Sequence, residues 1–293
     1  ILKRDKPDFV HALELQHGGY ITSRALEDAS VKTPFIATNY GSDIYWFQQF
    51  PKHLAKIKRL LARADRYSAE CNRDVELAKK YGFTGDVMPV FPNAGGFTDE
   101  QLNRELIPTS ERKVIAIKGY EGWVGRASVA VEALYSLTAE LADCKIIFYS
   151  CNAKTIRLVK RLKRKTGLNI EWHGKGELTH TAMLDLFASA RIYLGISLSD
   201  GISTSLLEAM AMGAFPIQTS TACLDEWFEP GLSGRSLAHA AVDETVAALY
   251  ACLGSENHEV DAATDTNRQT IRMKASSFAQ MLHPIAFYIK EPG

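Results

Sequence analysis

The stretch Arg191-Ile-Tyr-Leu-Gly-Ile-Ser-Leu-Ser-Asp-Gly-Ile-Ser-Thr-Ser-Leu-Leu-Glu-Ala-Met-Ala-Met-Gly-Ala-Phe-Pro-Ile217 decides the fold. It reads as a buried strand, a tight Asp200-Gly201 turn, a helix opening among small hydroxyl residues, and a second strand after Gly213. A helix N-terminus at the carboxyl end of a parallel strand presents unpaired backbone N–H groups and the positive end of a dipole, so it favours phosphate. Ligands of open α/β sheets collect at that edge.

Working outward, Asp200 and Glu208 flank the helix opening with seven residues between them. Asp200 falls in the turn and Glu208 about one and a half turns into the helix. Ser205-x-x-Glu208 also fits a helix capping box, in which both side chains merely satisfy backbone donors. The whole pattern resembles the acidic-x7-Glu signature of the retaining glycosyltransferases of family 4, with Asp200 where the first Glu is usual. Ala209-Met-Ala-Met-Gly-Ala-Phe-Pro-Ile217 matches that family's continuation. The resemblance implies a GT-B fold, in which the turn residues Gly201, Ile202, Ser203 and Thr204 hold the donor diphosphate. It further implies that Glu208 binds the nucleotide ribose and that Asp200 faces the donor sugar with an arm one methylene shorter than usual.

A chain of 293 residues, 46% of them hydrophobic, can support more than one core, and two α/β domains are the natural expectation. Thirty-four basic and 34 acidic residues cancel, so bulk attraction to nucleic acid is not indicated. Cys71, Cys144, Cys151, Cys223 and Cys252 are scattered without metal-type spacing, and an odd number cannot pair fully within the chain. That usage suits a reducing, cytoplasmic setting. No apolar run approaches bilayer length, and the first residues lack the pattern of a signal peptide. The expectation is a soluble or peripheral protein at the inner membrane surface.

Short apolar runs alternate with amphipathic stretches from end to end, which predicts a doubly wound α/β architecture. Strands are expected at 9–13, 35–38, 66–69, 87–91, 114–118, 145–149, 170–173, 192–197 and 215–219. A turn-rich segment, Val90 to Phe97, marks a boundary. The domains are accordingly expected at 1–98 (acceptor side), 113–266 (nucleotide-sugar side), with 99–112 as linker. Residues 254–266 read as a polar stretch, and 267–293 as a helix carrying Met273, Phe278, Met281, Ile285 and Tyr288, interrupted by Pro284. By resemblance this last segment is the closing helix that returns to the first domain. The overall expectation is two Rossmann-like domains facing across a cleft, the first incomplete. Relative to the family, on the order of 80 to 100 residues are expected to be missing before Pro7.

Lys118-Gly-Tyr-Glu-Gly-Trp-Val-Gly-Arg126 follows the first strand of the second domain and opens a helix. The family carries Gly-Arg and Lys-Gly here to grip the donor diphosphate. Lys118 and Arg126 keep that cationic chemistry with altered spacing, and the glycines let backbone approach phosphate. By resemblance to the family, His173-Gly174-Lys175-Gly176 and Tyr149-Ser150-Cys151-Asn152 are expected near the nucleotide base. In the first domain Thr38-Asn-Tyr-Gly-Ser-Asp43 resembles the family's strand-end element on the acceptor side, so Asp43 either orients substrate hydroxyls or forms a turn. Glu14 and His17 are candidates for acceptor binding or proton handling; His11, within a strand, reads as structural.

Two basic amphipathic stretches, 52–63 and 154–165, read as surface helices; the first is a candidate contact with anionic lipid. No DxD element stands in a metal-binding context, so the expected chemistry needs no metal and no covalent cofactor. The expected function is transfer of a sugar from a nucleotide-diphosphate sugar to a hydroxyl acceptor, glycan or lipid-linked, with retention. A sugar-nucleotide epimerase and a non-catalytic sugar-nucleotide-binding homologue are the alternatives.

Overall fold

The computed structural model describes residues 2–277 and 281. The described chain divides into two compact units. Unit 1 comprises residues 1–96, 199–202 and 277–293, and unit 2 comprises residues 97–198 and 203–276. This division differs from the expected linker and domain limits because it follows packing: the Ser199–Ile202 turn belongs with unit 1 although the chain on both sides of it belongs with unit 2.

Unit 1 holds a parallel four-stranded sheet in the order β1-β2-β3-β4, with β1 Val10–Leu13, β2 Phe35–Thr38, β3 Arg66–Ser68 and β4 Asp86–Val87. All four residues of β2 are buried, as a central parallel strand requires. Its core joins Phe35, Ala37 and Tyr67 of the sheet to Leu26 of the Tyr20–Ala29 helix and Ile57, Leu60 and Leu61 of the Pro51–Arg63 helix. β4 is only two residues long where five were expected, since Met88 is the last residue whose N–H reaches β3.

Unit 2 holds a parallel six-stranded sheet in the order β10-β9-β8-β5-β6-β7. The strands are β5 Val114–Lys118, β6 Lys145–Cys151, β7 Asn169–Gly174, β8 Ala190–Gly195, β9 Phe215–Thr219 and β10 Arg235–Leu237. The chain starts at β5, winds outward through β6 and β7, then returns to the other side of β5 with β8. The order therefore reverses between β5 and β8. β10, three residues long and following Gly234, is too short to stand out in the sequence.

One face of this sheet packs Ile115, Ile117, Phe148, Ile192, Leu194 and Ile217 against Leu134, Leu162 and Leu249 of the flanking helices. On Tyr149 and Tyr193 a second aromatic cluster forms, with Phe187 edge-on to each at centroid distances of 5.4 and 5.9 Å. Local signals agree with these helices: Asn152 and Thr179 cap theirs through their side chains, and Gly167 closes the Ala153–Thr166 helix in the left-handed conformation.

The stretch 254–266, expected to be a polar connection, is largely helical. A reciprocal capping box between Glu256 and Glu259 starts a helix at Asn257 that runs to Ala275. It begins ten residues before the expected helix because its polar surface hid the periodicity of Val260, Ala263, Asn267 and Ile271, all buried. The expected apolar positions Phe278, Ile285 and Tyr288 and the interruption at Pro284 lie outside the described residues.

Candidate functional site

The strand order of unit 2 reverses between β5 and β8, and the carboxyl ends of strands at such a reversal are where open α/β sheets bind ligands. Lys118 is the last residue of β5. The Thr204–Ala211 helix begins after β8, with Ser203 in the N-cap position and no side-chain cap on its first N–H groups. Lys118 donates from Nζ to Ser203 Oγ at 3.1 Å, so an ammonium stands beside that helix end. Six of the helix's eight residues, Leu206 to Ala211, are buried, which fixes its direction in the core.

Glu208 is the fifth residue of this helix and its side chain is 11% exposed. The capping-box reading of Ser205 and Glu208 fails, because the cap lies at Ser203 and the Glu208 carboxylate has another partner: His180 Nε2, 2.9 Å from Glu208 Oε1. Burial raises the carboxyl pKa, and the imidazole and Lys118 pull it back down. His180 opens the His180–Ser189 helix, and no spacing in the sequence links it to a residue 28 positions away.

The Lys118–Arg126 loop packs close to the sheet, where a Cβ at Gly119 would lie 2.4 Å from Cys151 Sγ, and folds tightly on itself, where one at Gly125 would lie 2.3 Å from the Tyr120 carbonyl oxygen. Arg126 N donates to Ile196 O at 3.0 Å, tying the loop to the chain after β8. Its guanidinium turns back, donating from Nη1 to Gly122 O (2.7 Å) and Gly125 O (2.8 Å). Of the two cations marked in the sequence, Lys118 is thus at the helix end and Arg126 is held by its own loop. Glu121, buried in the same loop, accepts from Lys154 Nζ at 2.9 Å and from Ser128 N at 2.9 Å. Around the expected base-binding loops, Gly174 N donates to Glu177 Oε2 at 2.6 Å, and Asn152 caps its helix by accepting from Thr155 N at 3.1 Å.

In unit 1 the turn Ser199–Ile202 is gripped from several directions. Ser42 Oγ lies 2.9 Å from Ser199 Oγ, and Arg73 Nη2 donates to Asp200 O at 2.8 Å. Gly41, at φ +85°, approaches so closely that a Cβ would fall 1.9 Å from Gly201 N. The Asp200 carboxylate accepts the N–H of Gly201 at 3.0 Å.

Glu70, just after β3, was missed in the sequence although a carboxylate at the end of a parallel strand is a recognisable signal. It accepts from Asn93 N at 3.0 Å and from the N–H of Ile202, and burial raises its pKa to about 7.

The acceptor-side candidates are largely engaged in shaping their own loop. Asp43, 8% exposed, accepts the Leu15 N–H at 2.9 Å, and burial raises its pKa to about 6. Glu14 adopts a positive φ of 82° and caps the Leu15–Gly19 turn, accepting from His17 N (2.5 Å) and Gly18 N (2.8 Å). His17 Nδ1 lies 3.2 Å from Glu14 Oε1, with its ring almost fully exposed. His11 Nε2 meets Thr38 Oγ1 at 2.6 Å between adjacent strands, a structural contact as expected.

A pH dependence follows for unit 1. For Glu70 and Asp43 the native carboxyl holds its proton to about pH 7 and about pH 6, whereas the unfolded chain releases it at the ordinary carboxylate pKa. Between those limits the native state binds more protons, so stability falls as pH rises through the window. For Glu70 the loss approaches about 3 kcal/mol. Thermal unfolding should therefore show a higher midpoint at pH 5 than at pH 7.5, and Glu70→Gln should flatten that dependence; an unaltered profile in Glu70→Gln would reject it.

Among the described residues no helix is long and apolar enough to cross a membrane. None of the five cysteines is in a disulfide.

The family model described as "Glycosyl transferase-like" matches residues 154–283. No curated protein matches the chain by sequence. Among solved structures, HepE from Anabaena in complex with UDP aligns over 97% of this chain and 79% of its own, at 13% identity and a TM-score of 0.76. HepE has also been solved with UDP-glucose. Sucrose-phosphate synthase from Thermosynechococcus elongatus aligns over 98% of this chain and 74% of its own, at 13% identity and a TM-score of 0.72. The α,α-trehalose 6-phosphate synthase from Burkholderia multivorans aligns over 96% and 72%, at 14% identity and a TM-score of 0.69. With its two parallel-sheet α/β units and this likeness, the chain has the GT-B glycosyltransferase fold.

Proposed function

We propose that the protein is a retaining glycosyltransferase of family 4 that moves a sugar from a nucleotide-diphosphate sugar to a hydroxyl acceptor in glycan, polysaccharide or glycolipid synthesis. The observation that carries this reading is the meeting of Lys118 Nζ with the Ser203 cap of a buried helix at the point of strand-order reversal. Donors and positive charge fixed in advance at that point suit a diphosphate in the ground state. They suit it better as the glycosidic bond breaks and the leaving group gains charge.

Glu208 takes the ribose and Asp200 faces the donor sugar, while Glu14, His17 and Asp43 belong to the acceptor side. Charge neutralisation by the helix end and Lys118 requires no divalent ion. UDP is the first nucleotide to test, because HepE has been solved with UDP and UDP-glucose. Incubating the protein with UDP-glucose and a panel of hydroxyl acceptors, and reading the anomeric configuration of the product by NMR, tests the proposal. An inverted product would reject retention. Tight UDP binding with no transfer to any acceptor would favour the non-catalytic alternative, which the local engagement of the Glu14 and Asp43 carboxylates also suits.

If Lys118 meets phosphate, Lys118→Ala should weaken UDP about tenfold or more while leaving uridine nearly unchanged. Arg126→Ala should have the smaller effect, since its guanidinium is already bonded to Gly122 and Gly125. Equal loss for UDP and uridine in isothermal titration would remove Lys118 from the diphosphate site.

A lipid-linked acceptor would place the Pro51–Arg63 helix near an anionic surface. Arg59 is ion-paired with Glu27, and Lys56 and Lys58 lie over the rings of Tyr20 and Tyr81 at 5.3 and 5.8 Å. Phe50, exposed at the start of that helix, adds an apolar contact. Replacing Lys52, Lys56 and Lys58 by Glu should reduce sedimentation with anionic liposomes, most at low salt, because each basic residue contributes about 1 kcal/mol at such a surface. Absence of liposome binding by the unaltered protein would leave a water-soluble acceptor as the better reading.

A further inference from the structure

The Glu208 carboxylate is held in a nearly closed position in unit 2. Its helix is buried over the positions around it, and its side chain reaches the surface with only 11% exposure. Such a carboxylate has few donors to choose from. His180 supplies one, with Nε2 at 2.9 Å from Oε1; no donor among the described residues is placed on Oε2. The imidazole is itself 62% exposed and stands at the first position of its helix, after the Thr179 cap. A contact with one partner so open to water contributes little stability. Its consequence is geometric: with Oε1 occupied by a ring anchored on a different helix, the carboxylate plane is fixed and Oε2 is left for a ligand.

We infer that His180 is a positioning residue, which orients Glu208 through the 2.9 Å Nε2–Oε1 contact so that Oε2 accepts from a ribose hydroxyl of the bound nucleotide. The inference rests on the donor-site reading above and adds a residue to it. His180 acts on the nucleotide through Glu208, so its influence is confined to the part of the ligand that Glu208 touches. Base and phosphate recognition lie outside its reach. A Gln at this position can present an amide N–H in place of the ring Nε2–H, whereas Ala cannot.

The experiment is isothermal titration of UDP and of 2′,3′-dideoxy-UDP, which lacks the ribose hydroxyls, into the unaltered protein, His180→Ala and His180→Gln. Circular dichroism should confirm that each variant is folded; the exposure of the ring makes the substitutions mild. His180→Ala is expected to weaken UDP about five- to tenfold, the scale of one oriented hydrogen bond, and to leave dideoxy-UDP unchanged. His180→Gln should recover most of the loss.

Equal weakening of both ligands by His180→Ala, or no weakening of either, overturns the inference. So does failure of His180→Gln to recover affinity when His180→Ala has lost it. If the unaltered protein binds none of UDP, GDP and ADP, it is the donor-site reading that fails, and the inference falls with it. If the unaltered protein binds UDP but His180→Ala matches it, the donor site stands and only the role of His180 is rejected.

Discussion

Gly41→Ala is expected to destabilise unit 1 by more than about 4 kcal/mol, in the exceptional range for a single substitution. Two effects combine. At φ +85° an alanine is strained, and its Cβ would fall 1.9 Å from Gly201 N and 2.2 Å from Gly201 Cα, atoms that are backbone and cannot rotate aside. Either unit 1 loses stability or the Ser199–Ile202 turn is pushed off its seat, breaking the contacts from Ser42, Glu70 and Arg73. In the second case sugar transfer should fall about 100-fold, since a displacement near 1 Å has that effect on a positioned reaction.

Urea unfolding and steady-state turnover, measured side by side, separate the two. Gly95→Ala is the control: Gly95 also has positive φ, at 72°, but a Cβ there meets nothing within 4 Å. Equal behaviour of the two variants would show that backbone strain alone, and not the approach to Gly201, governs the position.

Glu208→Ala should weaken nucleotide binding by roughly 1.5 to 3 kcal/mol, the cost of losing hydrogen bonds to a charged acceptor. That corresponds to about 10- to 150-fold in Kd. Removing the side chain from an almost closed position also strips His180 of its carboxylate partner, but His180 is largely exposed and water replaces the contact. The fold should therefore tolerate the change, and the loss should appear in affinity and not in the unfolding midpoint. An unchanged UDP affinity in folded Glu208→Ala protein would mean that the carboxylate does not meet the ligand.

The sequence by itself determined the fold class, two parallel-sheet α/β units. Val114–Lys118 and Phe215–Thr219 were readable to the residue because buried parallel strands are short, mostly apolar runs bounded by turns. The Asp200-Gly201 turn and the helix after it were readable because a turn, small hydroxyl residues and a buried helix follow one another within a short span. Local order of this kind is written in local sequence.

What tertiary structure decided is everything that depends on partners far apart in the chain. Ser205 and Glu208 satisfy a capping-box pattern, yet packing put the cap at Ser203 and gave Glu208 to His180. Arg126 and Lys118 looked equivalent as cations, yet only Lys118 reaches the helix end, because strand β5 aims it there while the glycine loop folds Arg126 onto its own carbonyls. Asp43 and Glu14 carried the residue types of an acceptor site, and the geometry engages Asp43 Oδ2 with the N–H of Leu15 and Glu14 Oε1 with those of His17 and Gly18. A carboxylate's partner is set by which donors the fold brings within hydrogen-bond distance, and the identity of the residue does not contain that information.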